Sequence, residues 1–356
     1  MLHINRYPWP SGKYKRMSPT VGGSNWVESG DTFPYDASPT VWTDLDLSGS
    51  IPEGGPVWVL LQFVAAGRIR VRPNGDATDE WQSVYTSWGG ATFLCRTDAA
   101  CVVEWKAETA AGQTVTLIGY VTDIVVPTLT LHDADVSAGF TVLDAGAEIT
   151  DTAVVKLKII VNANAGGAWY GLRPYGEISD WTVAAANSWA WASAGYPYPA
   201  GTASGLITES GALGEIELWA SAVGINATIT LDSYVQAGLY QPAPGSEVVF
   251  AYGATPIFPA YGDLDLSAAV GAQKALVFLK VRLKFLAWVA FRPNGSATTM
   301  ARLYGGAEYW RTTDGDDLHC ALIITACDEN GVVEWTGDNA VATEAEVTVL
   351  GYIPAL

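Results

Sequence analysis

One sequence element occurs three times in this 356-residue chain. It begins with the tetrapeptide Arg-Pro-X-Gly, which stands at residues 72–75, 173–176 and 292–295. Each copy then has a segment that ends in Trp and a later one that ends near a Tyr. These landmarks are Trp105 and Tyr120, Trp219 and Tyr234, and Trp335 and Tyr352. Because the landmarks recur in the same order at similar spacing, the sequence predicts three repeats of one unit of about 100 to 120 residues.

A second motif accompanies the first and third copies. The sequence Asp-Leu-Asp-Leu-Ser stands at residues 44–48 and 263–267, ahead of the Arg-Pro-X-Gly element in each case. The second copy has no recognisable counterpart, so we expect it to lack this element.

Apolar and basic residues alternate with a period of two in each copy, at residues 68–72, 155–159 and 277–285. This period is typical of β-strands, and no segment shows the 3.6-residue apolar period of a helix. Pro and Gly in each Arg-Pro-X-Gly element favour a tight turn, and residues 209–214 and 328–331 are predicted hairpin loops. The predicted fold is all-β: three tandem antiparallel β-sandwich repeats of the jelly-roll or Greek-key type, each with its Trp and Tyr in the core.

Stretches rich in Pro, Gly and Ala divide the predicted units. The boundaries are 1–32 for an extended N-terminal arm, then 33–126, 127–240 and 241–356 for the three repeats. Residues 236–247, QAGLYQPAPGSE, are the predicted second linker. The linkers are short and carry apolar residues, so we expect the three units to pack side by side.

The N-terminal arm differs in charge from the rest of the chain. Its first 27 residues carry a charge of +4 and no acidic residue, which leaves −22 for the remainder of the net −18. A disordered tail is one interpretation, since termini are often disordered. We favour an arm that docks on a neighbouring acidic subunit, because a disordered tail seldom has so many aromatic residues. The predicted partner-binding residues are Arg6, Tyr7, Trp9, Lys13, Tyr14, Lys15, Arg16 and Trp26.

Composition argues against several classes of function. The net charge of −18 opposes binding to nucleic acid and to anionic membranes. With three His residues the chain is poorly suited to a multi-histidine metal centre or a His-based triad, and no cofactor or metal site is predicted. We expect no signal peptide and no membrane insertion, because the most apolar stretch, 275–291, contains Lys280, Arg282 and Lys284. The four cysteines are expected to be reduced thiols.

Three groups of acidic residues are candidates for a catalytic or metal-binding role. Glu104 and Glu334 precede the landmark Trp in two copies, as paired catalytic carboxylates could, but copy 2 has Leu218 there, with a Glu one place earlier. We therefore favour solvent-facing strand residues. Residues 314–319, DGDDLH, are interpreted as an acidic turn rather than a Ca²⁺ site, because they lack the spacing of an EF-hand loop; residues 132–135 are a weaker case. The sequence contains no common catalytic motif, and we predict that the protein is not an enzyme.

Fifteen Trp residues leave a surplus beyond one core Trp per copy. The aromatic residues that differ between copies follow the Arg-Pro-X-Gly turn and are predicted to lie on one loop face of each sandwich. Flat rings there would stack on sugars or bury surface between repeats or subunits, and we favour the interface because Trp and Tyr are common interface anchors. The candidates are Trp81, Trp88, Trp181, Trp189, Trp191, Tyr196, Tyr198, Tyr304, Tyr309 and Trp310.

Tandem β-sandwiches behind a short anchoring arm, in an acidic chain rich in Trp and Gly, resemble the accessory virion proteins of tailed bacteriophages, such as capsid decoration, head-fibre and tail-tip proteins. The resemblance covers architecture and composition and no family-specific motif. It implies a non-enzymatic structural protein of the virion, assembled in the host cytoplasm, whose partners are other copies of itself in a homo-oligomer and other virion subunits. The alternative is a glycan-binding adhesin or receptor-binding protein of the tail-fibre kind, whose loop Trp and Tyr residues contact glycans.

Overall fold

A computed structural model provides the three-dimensional structure of the protein. It describes residues 26–64, 68–77, 82–85, 91–110, 112–127, 129–136, 139–161, 169–175, 190–193, 203–220, 225–235, 238–250, 260–284, 288–296, 301–304, 318–337 and 345–355.

The strands fall into three sets along the chain. Repeat 1 contains β1 (Trp26–Glu28), β2 (Thr32–Tyr35), β3 (Thr43–Asp46), β4 (Trp58–Val64), β5 (Arg68–Pro73), β6 (Gln82–Tyr85), β7 (Ala91–Arg96), β8 (Val102–Ala107) and β9 (Gln113–Val121). Repeat 2 contains β10 (Leu129–Val136), β11 (Gly139–Asp144), β12 (Val154–Val161), β13 (Trp169–Pro174), β14 (Ala190–Ser193), β15 (Ala203–Glu209), β16 (Glu215–Ala220) and β17 (Ile225–Val235). Repeat 3 contains β18 (Gln241–Phe250), β19 (Gly262–Asp265), the helical turn α1 (Ser267–Val270), β20 (Ala275–Lys284), β21 (Trp288–Pro293), β22 (Ala301–Tyr304), β23 (Leu318–Cys327), β24 (Val332–Gly337) and β25 (Ala345–Pro354).

Each repeat has two antiparallel sheets with the same strand order. We call them the inner sheet, β10-β17-β12-β15 in repeat 2, and the outer sheet, β11-β16-β13-β14. Repeat 3 has β18-β25-β20-β23 and β19-β24-β21-β22 in the same places. In repeat 1 the sheets are β9-β4-β7, with β1 and β2 both paired to β9, and β3-β8-β5-β6. This order, first-eighth-third-sixth and second-seventh-fourth-fifth, is that of an eight-stranded jelly roll. The predicted all-β sandwich fold is confirmed.

Alternating burial determines which side chains form the core of each jelly roll. In β8 and β16 half-buried and buried residues alternate along the whole strand, as period-two strands require. The buried positions of the inner and outer sheets pack together into one hydrophobic core per repeat. Trp105 and Tyr120 lie in the core of repeat 1, and Trp335 lies in that of repeat 3.

The inner sheets are buried on their second face as well. In β4 six consecutive residues, 58–63, are buried, a run that is typical of a strand with no solvated face. The second faces of the three inner sheets meet in a fourth group, which we call the axial cluster. It consists of Trp26, Trp58, Leu60, Leu94, Val121, Val154, Ile207, Val235, Tyr240, Leu276, Phe278, Ala326, Leu350 and Ile353.

Contacts between neighbouring repeats close a ring around the axial cluster. Strand β14 of repeat 2 contacts β23 of repeat 3, and β22 of repeat 3 contacts β7 of repeat 1. Lys158 of repeat 2 forms an ion pair with Asp76 of repeat 1. Trp26 pairs with Val121 in β9 and forms a parallel bridge to Ala355 after β25. Lys274 of repeat 3 forms an ion pair with Glu28. The three jelly rolls therefore surround an approximate threefold axis, and the two ends of the described chain lie together.

The landmark Trp of copy 2 is displaced by one residue from its predicted place. Leu218 lies opposite Thr141 in the outer sheet, as Trp105 lies opposite Thr43 in repeat 1. Leu218 is fully buried, whereas Trp219 is half-buried on the other face of the strand. The prediction of Trp219 as the core Trp is wrong, because side chains one residue apart point to opposite faces of a sheet.

Copy 2 also retains the element that it was expected to lack. Leu143 and Asp144 occupy the register positions of Leu45 and Asp46, the central Leu-Asp pair of the motif in copy 1. The Asp144 carboxylate accepts the backbone N–H two residues later at 2.8 Å, as the Asp46 carboxylate does at 2.9 Å. Copy 2 therefore keeps the Asp-capped turn, but few of the surrounding residues are identical to those of copy 1. The turn could not be recognised from the sequence for this reason.

Two predicted segment assignments also change. Residues 236–247 are not simply a linker, because β18 begins at Gln241 and pairs with β25, while Tyr240 is buried in the axial cluster. The arm does not extend to residue 32, because β1 and the first residue of β2 already belong to the inner sheet of repeat 1. One helical turn, α1, occurs where no helix was predicted.

Gly119 provides a test of this packing. A Cβ atom at Gly119 would collide with the Val27 carbonyl oxygen and the Trp26 ring. We expect Gly119→Ala to lower the free energy of unfolding by about 1–3 kcal/mol, since overpacking forces neighbours to shift. Urea denaturation measures the change. Gly30→Ala is the matched control, because nothing lies within 4 Å of its new Cβ; equal losses in both variants would contradict this packing.

Candidate functional site

The axial cluster is built from equivalent positions of the three inner sheets. Trp58, Val154 and Leu276 form one layer of side chains. Each of them pairs, across the inner sheet, with the residue directly after the landmark Tyr of its repeat. The next layer lies two residues further along the same strands and consists of Leu60, Lys156 and Phe278. Five of these six side chains are apolar and buried. The exception, Lys156, marks the place where repeat 2 departs from the other two.

Lys156 brings a charge into a layer that is otherwise apolar. Its side chain is 1% exposed. Its counterion, Asp232, sits at a β-bulge in β17, and the same bulge position holds Ile118 in repeat 1 and Leu350 in repeat 3. Lys156 Nζ and Asp232 Oδ2 are 3.8 Å apart. Repeat 2 thus has an ion pair where the other repeats have two apolar side chains.

Repeat 1 supplies further partners to this ion pair. Arg96 donates from Nη2 and Nε to Asp232 Oδ1 at 2.8 and 3.2 Å. The Ser233 hydroxyl donates to Asp232 Oδ2 at 2.9 Å and accepts the indole N–H of Trp58 at 2.8 Å. Burial raises the pKa of Asp232, but Lys156 and the bonds from Arg96 and Ser233 outweigh burial and hold that pKa below its ordinary value. We call these five residues the axial polar network; it joins repeat 2 to repeat 1.

A different arrangement is repeated on all three outer sheets. The Arg of each Arg-Pro-X-Gly element forms an ion pair with a Glu on the neighbouring strand, in the pairs Arg72–Glu104, Arg173–Glu217 and Arg292–Glu334. Each guanidinium also stacks on an aromatic ring, at 4.1, 3.5 and 3.8 Å from the centroids of Trp42, Phe140 and Tyr261 respectively. Glu217 is therefore the true counterpart of the other two acids. All three Glu side chains are at most 16% exposed, so they are ion-paired rather than freely solvent-facing.

The third residue of the repeated tetrapeptide has a structural role in copies 1 and 3. The Asn74 amide donates to the Asp98 carboxylate at 2.7 Å, and Asn294 donates to Asp328 at 2.8 Å. Each Asp carboxylate also caps backbone N–H groups of the turn before β8 or β24. Copy 2 has Tyr175 at this position, and its side chain is half exposed. The tetrapeptide is thus a structural turn in the two copies that share Asn.

Within the described part of the chain, no strand pairs with the outer side of β10 in repeat 2, and this edge has acidic side chains. Strand β10 is the edge of its inner sheet and β11 the edge of its outer sheet. Asp133 and Asp135 of β10 are exposed; Asp133 accepts the Thr228 hydroxyl at 2.7 Å, and Asp135 accepts the Asn226 amide at 3.3 Å. Neither strand contains Lys or Arg.

Most of the predicted partner-binding residues lie outside the described residues. In the arm these are Arg6, Tyr7, Trp9, Lys13, Tyr14, Lys15 and Arg16, and among the variable aromatic residues they are Trp81, Trp88, Trp181, Trp189, Tyr196, Tyr198, Tyr309 and Trp310. Trp191 lies in β14 and Tyr304 in β22.

Trp26 is the one predicted arm residue that the structure describes. Its side chain is fully buried in the axial cluster, so its ring is not available to another subunit. The assignment of Trp26 to a partner-binding arm is corrected, because β-sheet pairing with β9 draws it into the body.

Over the described ranges, no three His, Cys, Asp or Glu side chains converge in a way that would hold a metal ion. The helical part of these ranges offers no segment of the length and apolarity needed to cross a membrane. Cys95, Cys101 and Cys327 are buried and are not joined in disulfides. Burial raises the pKa of Cys327 to about 12.

Comparison with known proteins yields little. No protein-family model and no curated protein matches the sequence. Among solved structures, a chain in the atomic structure of Sulfolobus Turreted Icosahedral Virus aligns over 93% of this chain and 92% of its own length, with 8% identity and a TM-score of 0.22. That score is too low for a shared fold to be inferred from it.

The axial polar network predicts a compensating pair of substitutions. Asp232→Ile, which introduces the residue of repeat 1 at this bulge, leaves Lys156 buried without its counterion, and we expect a loss of about 3–5 kcal/mol in the free energy of unfolding. Adding Lys156→Leu, the residue found at position 60, should restore most of that loss, because a packed apolar pair can replace a buried ion pair. Urea denaturation of both variants, with Asp232→Asn as a milder single change, measures this. A double variant as unstable as Asp232→Ile would contradict it.

The same pair predicts a difference in acid stability. The pKa of Asp232 is lowered in the folded state, so its contribution is complete above the unfolded pKa of about 3.9 and disappears as the pH falls through the folded value. We expect thermal melts below about pH 4 to show a steeper fall in Tm for the wild type than for the double variant. The double variant keeps Asp46, Asp265 and Asp328, whose pKa values are also lowered, and so isolates Asp232. Parallel acid profiles would contradict this contribution.

Proposed function

We propose that the protein is a non-enzymatic structural component of a virus particle, of the capsid-decoration kind, that binds neighbouring virion subunits. The observation that supports this best is the closed ring of three jelly rolls around one apolar axis. Jelly rolls are common in viral capsid proteins and in lectins, and a fold alone does not determine function. The ring adds a geometric argument, because a body with approximate threefold symmetry can contact three identical partners in similar ways.

The division of charge fits an accessory role. The body carries all 37 acidic residues, whereas the arm that precedes β1 has basic and aromatic residues and no acid. The arm leaves the body beside Ala355, at the end of the axis where Trp26 is buried. A chain with one short basic segment on a rigid acidic body is suited to attachment through that segment, with opposite charge speeding encounter.

A glycan-binding adhesin is the second candidate function, and the topology gives it one specific argument. Strands β7, β15 and β23 begin at the end of each inner sheet that lies away from Trp58 and its equivalents. The segments that precede them hold Trp88, Tyr196, Tyr198, Tyr309 and Trp310. Five of the aromatic candidates therefore precede, in the sequence, strands that begin at the end of the ring away from Trp58, as a receptor-binding tip would require.

Removal of the arm distinguishes the two functions. We expect a variant that lacks residues 1–22, and so keeps β1, to co-sediment with purified virus particles about tenfold less than the full chain, because it loses the charged and aromatic contacts of the arm. The full chain with Trp189→Ala and Trp310→Ala is the control and should attach normally. Undiminished attachment of the truncated chain would contradict the decoration role. Glycan-array binding that disappears in the Trp variants but survives truncation would favour the adhesin.

A further inference from the structure

We propose that the free edge of β10 is the docking site for residues 1–25 of a second copy of this chain, which adds to the inner sheet of repeat 2 as an extra strand. The proposal rests on the assembly role given above and names the partner surface for the arm. Extended segments bind in this way because backbone hydrogen bonds to an unpaired edge supply affinity, and side chains supply selectivity.

Among the first strands of the three inner sheets, β10 has the most regular edge over the described residues. Strand β10 pairs on one side with β17 over Leu129–Val136. The corresponding edge of repeat 1 is partly covered, since Trp26 in β1 bridges to Ala355. The corresponding strand of repeat 3, β18, contains Pro242 and Pro244 and has an irregular register. Proline and bulges protect an edge against added strands, and β10 has no proline and one register shift.

Side chains along this edge complement the arm in charge. Asp133 and Asp135 are exposed on β10, and Asp144 is exposed at the end of β11. His132 is the one ionisable base of these two strands. An exposed edge strand with two acids and no Lys or Arg complements in charge a segment that has four basic residues and no acid.

Length and position allow the arm to reach another molecule. Twenty-five extended residues span up to about 80 Å. The arm starts beside Ala355, where repeats 1 and 3 meet, whereas β10 belongs to repeat 2. The arm and the β10 edge are different surfaces of the molecule, so a contact between the two on different copies joins molecules head to tail.

The test compares self-association of the full chain in two edge variants. We expect the wild type to associate with rising concentration in sedimentation equilibrium, more strongly at about 0.05 M than at about 0.5 M salt, because the Debye length shortens. Asp133→Asn/Asp135→Asn should weaken association about tenfold, since it removes two charges that face the arm. Asp44→Asn/Asp263→Asn, which changes exposed acids on the outer-sheet edges of repeats 1 and 3, is the matched control and should associate like the wild type.

A synthetic peptide of residues 1–25 provides the second arm of the test. It should dissociate the wild-type assembly, and a labelled form should bind the full chain but not Asp133→Asn/Asp135→Asn. Equal association of the two Asn variants, or peptide binding that ignores them, would overturn the proposal. A chain that stays monomeric while the peptide binds would also overturn it, because the arm then binds its own body. If the peptide binds and the Asp133→Asn/Asp135→Asn variant associates weakly, but the chain does not attach to virus particles, the proposed virion role is wrong and the contact between arm and β10 is still supported.

Discussion

Burial of the inner sheets on both faces is the constraint on which the rest of this structure depends. Each jelly roll covers one face with its own core, and the axial cluster covers the other with side chains from all three repeats. A separated repeat would expose the second face to water at a cost of about 25 cal/mol for each Å² of apolar surface. The three jelly rolls therefore stabilise one another as neighbours do in repeat proteins. The connection between repeats 2 and 3 takes part in this packing, because its residues 239–240 lie against the axial cluster.

An axis made of three identical apolar layers would hold the repeats together without specifying how they are arranged. The axial polar network removes that ambiguity. Asp232 needs Arg96 from repeat 1 as well as Lys156 from its own repeat, and Ser233 needs the indole of Trp58. Buried ion pairs add little stability over apolar packing, and their best-attested use is to select one arrangement. Repeat 3 has Leu276 and Ala326 at the positions of Trp58 and Arg96, so it has no such partner to offer.

The sequence was sufficient for features that depend on local pattern. Triplication, period-two strands and the turns at residues 72–75 and 292–295 could be predicted, because the same residue types favour the same backbone conformation in each copy. Failures came where only the physical role is kept. Trp42, Phe140 and Tyr261 each stack on the Arg of their repeat, although they are three different residue types. Leu218 takes the core position that Trp105 has in repeat 1, so matching the copies by their Trp residues misplaced copy 2 by one residue. Trp26 could not be placed because its partner, Ala355, lies at the far end of the chain. The aromatic candidates of the loops lie outside the described residues, and their roles stay predictions.

Fusion of three jelly rolls into one chain changes what the assembly can do. Three separate identical subunits would carry three arms, three equivalent edges and an axis of identical layers. In the fused chain each repeat can diverge, and it has: repeat 1 has its first strand split and covered, repeat 3 has prolines in its first strand, and repeat 2 has a regular strand with exposed Asp133 and Asp135. A body that is nearly threefold thus carries a single arm and, over the described residues, one regular first-strand edge among its inner sheets. Contacts between unlike surfaces generate rings or extended arrays rather than closed pairs. Because the repeats have diverged, a nearly symmetric body can associate head to tail.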